Sequence, residues 1–155
     1  MGKTTMAVAI IAVLAGAIWI ARDRSADQTL GSPDRSRPVP ANLPEGAPLA
    51  EVVVPVALSS EAELGKRVFD AACASCHGLN AAGRNGVGPP FVHRVYEPSH
   101  HADIVFVMAV RSGVRAHHWQ FGSMPAVEDT FTDAEIGSVV RYVRELQEAN
   151  GIGRE

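Results

Sequence analysis

Large aromatic side chains are scarce in this sequence: two Trp, two Tyr and five Phe among 155 residues. A small domain ordinarily draws much of its buried area from such rings. A core built from these alone is underfilled, and another apolar body is expected in it. Cysteine is scarcer still, and two residues exclude a disulfide-rich scaffold. Positive charge is not in excess either. With 14 Lys+Arg against 17 Asp+Glu, the net charge of -3 excludes a strongly basic nucleic-acid binder. The length supports one domain with appendages, since two domains would each be marginal. There is no internal repeat, and no stretch of residues 59–155 alternates with period two for long enough to argue for a strand.

One long apolar run is present. Thr4–Ala21 is uncharged and lies between Lys3 and Arg22-Asp23-Arg24. As a helix it would rise roughly 27 Å, close to the hydrocarbon thickness of a bilayer. Ala15-Gly16-Ala17 has the small residues of a cleavage site, but Ile18-Trp19-Ile20 carry the run past it. Trp19 also sits where an interfacial aromatic belongs. Residues 1–24 are therefore read as a membrane anchor, with a cleaved signal peptide as the alternative. Charges on both flanks leave its orientation open. Residues 25–58 read as a Pro-rich flexible linker, because Pro33, Pro38, Pro40, Pro44, Pro48 and Pro55 fall within them and favour extended chain over helix.

Residues 59–155 contain every cysteine and histidine. Ser60-Glu61-Ala62-Glu63 has the form of a capping box, with Ser60 as the cap, and Leu64, Val68, Phe69 and Ala72 follow on one helical face. A second helix is expected around His101–Arg111, with Gly113 beyond its end and Met108 in its core stripe. Thr132-Asp133-Ala134-Glu135 is another capping box, followed by Ile136, Val139, Val140, Val143 and Leu146 at helical spacing, and Asn150-Gly151 supplies the stop. The fold class is all-α. Between the first two helices, residues 78–98 form a Gly/Pro-rich loop. It lacks the strand and the Gly-Lys-Ser/Thr ending of a phosphate loop, so it is expected to wrap something else.

The chemistry is carried by Cys73-Ala74-Ser75-Cys76-His77, the C-x-x-C-H attachment signature of a c-type haem. Two thiols on one helical turn can add to the two vinyl groups along a porphyrin edge, which fixes the adjacent His77 under the iron. A thioredoxin-like pair would need a βαβ setting, and a zinc site would need a second ligand pair; neither is present. His77 supplies one axial ligand. Met124 is the best candidate for the other, because it sits in the loop Phe121-Gly122-Ser123-Met124-Pro125, and a thioether partner raises the reduction potential. His117 and His118 are its rivals, otherwise loop histidines at the solvent edge or near a haem carboxylate. A copper site of His117, His118 and Met124 is conceivable but would compete for Met124. His93, His100 and His101 have no spacing that suggests a site and read as surface or helix-start residues.

From Ser60 to about Gly151 the sequence resembles class I cytochromes c. Besides C-x-x-C-H, Gly88-Pro89-Pro90-Phe91 is similar to that family's Gly-Pro-x-Leu stretch, with Phe in place of Leu, and Ser123-Met124-Pro125 resembles its distal loop. The resemblance implies three to four helices around one covalent haem c with its iron, and helices that cross at Gly65, Phe69 and Tyr142. It also implies that the Pro89 carbonyl accepts the His77 ring N–H. The cofactor-binding set is then Cys73, Cys76, His77, Pro89 and Met124, with His77 and Met124 on the metal.

Such a protein would be a membrane-tethered monohaem electron carrier and no enzyme, with redox proteins as partners and neither nucleic acid nor a small-molecule substrate. A dedicated haem subunit of an oxidoreductase is the alternative, and a haem-based sensor a more distant one. Because the thioether bonds of such proteins form outside the bacterial cytoplasmic membrane, the resemblance implies a single-pass, N-in anchor with a periplasmic haem domain, or a soluble periplasmic protein after cleavage.

Overall fold

A computed structural model describes residues 42–127 and 130–153. The expected anchor (1–24) and residues 25–41 of the expected linker lie outside the described residues. Among the described residues no helix is long and apolar enough to cross a membrane. Four α-helices follow one another among the described residues: α1 (Ser60–Ala72), α2 (Ala74–His77), α3 (Asp103–Ser112) and α4 (Asp133–Ala149). Two 3-10 turns, Leu79–Ala81 and Arg94–Tyr96, lie in the loop between α2 and α3. The described residues contain isolated β-bridges and no strand.

The first helix starts one residue earlier than the capping-box pattern suggests. Ser59, not Ser60, is the cap, its Oγ accepting from the Ala62 amide at 3.2 Å. The reason lies on α4. The Glu145 carboxylate accepts from both the Ser59 hydroxyl (2.6 Å) and the Ser59 amide (3.0 Å), which fixes Ser59 at the helix entrance. Ala62, Gly65 and Phe69 form the buried stripe of α1, while Leu64, expected on the apolar face, is exposed. At the C-terminal helix the capping box forms in full, with Thr132 and Glu135 exchanging side-chain-to-backbone hydrogen bonds. Ile136, Val140, Val143 and Leu146 are buried at the spacing the sequence predicts.

The two long helices cross at Gly65. A Cβ there would stand 1.8 Å from the Ser138 carbonyl oxygen, so only glycine lets the backbones approach this closely. One turn on, the rings of Phe69 and Tyr142 meet edge to face, 5.7 Å between centroids. Phe91 then joins Phe69, Tyr96 and Phe106 at 6.3, 5.2 and 5.4 Å, so the few aromatics are concentrated in one connected cluster.

Helix α3 joins that cluster through Phe106. Phe106 is its buried residue, and Met108, expected in the core, is 59% exposed. Two residues rotate a helical side chain by roughly 200°, which sends Met108 to the side opposite Phe106.

The end of the expected linker is also not free. Leu49 and Ala50 donate their amides to the Ala82 carbonyl, each at 3.0 Å, and the Asn85 side chain donates to the Leu43 carbonyl at 2.8 Å. Asn150, read as a helix stop, clamps this segment: its Oδ1 accepts from the Val53 amide at 2.9 Å and its Nδ2 donates to the Val53 carbonyl at 2.8 Å. A Pro-rich segment makes no helix of its own, and here its backbone groups find partners on the domain.

The crossing makes a quantitative prediction. Gly65→Ala should destabilise the protein by at least about 2 kcal/mol through overpacking. Gly137→Ala, on α4 where an added Cβ meets nothing within 4 Å, should be neutral or stabilising by about 0.5–1 kcal/mol. Denaturant midpoints of the two variants test both.

Candidate functional site

Cys73 ends α1 and begins α2, so the short helix places Cys73, Cys76 and His77 on successive positions of one turn. The His77 amide donates to the Cys73 carbonyl at 2.9 Å, closing that turn. The thiols are not joined to each other. Burial, and secondarily the neighbouring Cys76, push the Cys73 thiol up to about 11. That direction is opposite to the lowered pKa that marks an exchange-active thiol.

His77 is buried, and its Nδ1 lies 3.0 Å from the Pro89 carbonyl oxygen. A carbonyl can only accept, so Nδ1 carries the proton and Nε2 keeps its lone pair free for a ligand. Burial lowers the His77 pKa, partly offset by the Pro89 bond, which favours the neutral ring. Phe91 stacks on the imidazole, 4.1 Å between centroids at 27°, so the phenylalanine that replaces the expected leucine braces the ring on its face.

The loop that carries Pro89 depends on local backbone choices. A Cβ on Gly88 would lie 2.5 Å from the Cys76 carbonyl oxygen, which makes glycine necessary where the loop passes the cysteine turn. The Arg84 amide donates to the Gly88 carbonyl at 2.8 Å, and the Arg84 guanidinium donates to the Ser75 carbonyl, tying loop to turn. Asn80 and Ala81 both take positive φ, 53° and 57°. Asn tolerates this region, and its side chain accepts from the Tyr142 hydroxyl at 3.2 Å; Ala81 is held there by full burial and by the Phe91 amide donating to its carbonyl at 2.9 Å.

Across the site, Met124 sits on a loop pinned to the end of α3. Val114 and Met124 exchange both backbone hydrogen bonds at 2.9 Å, and Gly113 is the only residue type that fits beside them, since a Cβ there would meet the Met124 carbonyl at 2.6 Å. Nothing in the sequence pattern announces this two-residue bridge.

These parts enclose a cavity of about 410 Å³, within the usual range for cofactor sites. Cys73, Cys76, His77, Pro89 and Met124 all line it, as do His117 and His118. The rest of the wall is mainly apolar, including Val68, Val105, Phe106, Val127, Val139 and Val140. A polar donor is also present: the Trp119 indole Nε1 is buried and without a hydrogen-bond partner. The Tyr96 hydroxyl is near enough for the indole to lower its pKa slightly, against a larger rise from burial to about 12, but no hydrogen bond closes between them. Sequence reasoning did not single out Trp119 for this role. An orphaned donor in an apolar cavity fits an occupant with a flat apolar body and an acceptor at its edge, as a porphyrin carboxylate would provide.

Comparison with protein families agrees with the geometry. The family model described as Cytochrome c matches residues 62–147, more than half of the chain, and the chain belongs to that family. Comparison with curated proteins gave no match, and comparison with solved structures gave none. Members of this family carry covalently attached haem c with its iron, which identifies the apolar body that the aromatic-poor core requires.

Removing the haem should therefore remove the centre of the core. Protein with Cys73→Ala and Cys76→Ala, produced without haem, is expected to show no cooperative thermal transition and a weak near-ultraviolet circular dichroism signal. A sharp transition in this haem-free chain would contradict the assignment of the cavity.

Proposed function

We propose that this cytochrome c family member is a tethered one-electron carrier whose iron is held by His77 on one side and Met124 on the other. Haem c supplies the Fe(II)/Fe(III) couple. The observation that carries the reading is the shared cavity: the cysteine turn with its oriented His77 forms one part of the wall, and the pinned Met124 loop forms another. The protein's own groups then have distinct tasks. Cys73 and Cys76 anchor the porphyrin edge. Pro89 and Phe91 hold the His77 ring in one tautomer and one orientation. Met124, fixed by its backbone pairing with Val114, brings a neutral soft donor that favours the reduced state.

His77 and Met124 together would leave no position on the iron for a substrate, which supports a carrier without chemistry of its own. Its partners are redox proteins, and membrane electron-transfer complexes are the proposed class. The apolar run Thr4–Ala21 supports a single membrane span, and the covalent haem of the family supports placing the head on the periplasmic side. Tethering suits a shuttle because it raises the concentration of the head near its partners.

Optical spectra of the oxidised and reduced protein test the ligand assignment. Met124→Ala is expected to lose the weak Met–Fe(III) charge-transfer band and to gain carbon monoxide binding in the reduced state. An unchanged spectrum in that variant would transfer the position to a histidine, with His117 and His118 the nearest in sequence.

A further inference from the structure

Four histidines that the proposed electron transfer does not use stand together, three of them, His101, His117 and His118, on the cavity wall. His100 and His101 precede α3, and His117 and His118 lie in the loop after it. The fold brings these two pairs together. Ring centroids are 4.8 Å apart for His100 and His101, 5.3 Å for His100 and His118, and 5.2 Å for His101 and His118. One ring nitrogen from each of the three lies within 4.8 Å of the other two. His117 flanks them, 4.2 Å from His118 and 6.2 Å from His101 between centroids.

We infer that His100, His101 and His118 form a site for a divalent transition-metal ion of the class that imidazole favours, Zn²⁺ or Cu²⁺, separate from the haem iron. His101 is the prepared member. It is buried, unlike the surface or helix-start residue the sequence suggests, and its Nδ1 lies 2.6 Å from the Val95 carbonyl oxygen. That acceptor puts the proton on Nδ1 and leaves Nε2 as the ligand atom, the arrangement in which metal-binding histidines are usually held.

His100 and His118 are exposed and can rotate to close on an ion. Zn–N bonds of about 2.0–2.1 Å in a tetrahedron place the nitrogens roughly 3.4 Å apart, so the observed spacing needs only a small inward movement. The fourth position is left to water.

The surrounding charges are compatible with a cation. Burial first, and then His100, His117 and Arg144, lower the His101 pKa against the opposing Val95 bond; burial and the other three histidines lower that of His118. Neutral rings are the ligating form. Arg144, whose charge bears on His101, is also paired: its Nε donates to the Asp103 carboxylate at 2.8 Å, and it donates to the Gln147 side-chain oxygen at 2.7 Å. Three imidazoles without a thiolate or carboxylate suit zinc or copper rather than calcium or magnesium.

Calorimetric titration of the haem-loaded full chain with Zn²⁺ in a non-coordinating buffer tests the site. One ion per chain is expected. His100→Ala and His118→Ala should each weaken binding at least tenfold, with circular dichroism and the haem spectrum showing that the fold is retained. His117→Ala should keep most of the affinity. Absence of stoichiometric binding would overturn the inference, and so would loss of binding in His117→Ala with full binding in His100→Ala.

Discussion

One hydrogen bond organises the site and much of the loop around it: the buried His77 ring donates to the Pro89 carbonyl at 3.0 Å. For that carbonyl to reach the ring, the chain must double back against the cysteine turn, and the contact at Gly88 leaves no room for a side chain. The return path requires positive φ at Asn80 and Ala81, a conformation costly for alanine. The cost is offset by tertiary contacts, because the Tyr142 hydroxyl reaches Asn80 and the Ala81 carbonyl accepts from Phe91. Tyr142 belongs to α4, so the orientation of one imidazole is referred back to the long helix pair. An imidazole held in this way keeps one tautomer and one orientation, which suits the ligand role proposed for it.

The core shows how few large side chains suffice when they are concentrated. Phe69, Phe91, Tyr96, Phe106 and Tyr142 contact one another in sequence rather than being spread through the domain. They occupy one side of the cavity wall or the space behind it, and the haem of the family fills what they leave. Helix α3 borders that space with Val105, Phe106, Ala109 and Val110. Its exposed Met108 and Ile104 are tolerable because the helix is held by Phe106 and by the Arg144 pair with Asp103.

What could be read from the sequence was what local chemistry or fixed spacing encodes. The C-x-x-C-H turn, the capping box at Thr132 and the buried ladder of α4 all have such signatures, and the structure contains them; the close crossing at Gly65, also present, was implied by the family resemblance alone. The misreadings came from interactions distant in sequence. Ser59 displaced Ser60 as the cap because Glu145 takes both of its donors. Met108 lay in an apolar pattern, but α3 turns Val105, Phe106, Ala109 and Val110 to the cavity and leaves Met108 exposed. The Val114–Met124 bridge and the meeting of two histidine pairs are products of loop folding, and no spacing rule reports them.

The clamp between Asn150 and Val53 has a mechanical consequence. Its two amide contacts hold the segment ahead of α1 against the last turn of α4, while Leu49 and Ala50 hold the same segment against the loop at Ala82. The segment is thus a strap over loop and helix end rather than a free lead. A load carried along it meets these backbone bonds before it reaches the cysteine turn.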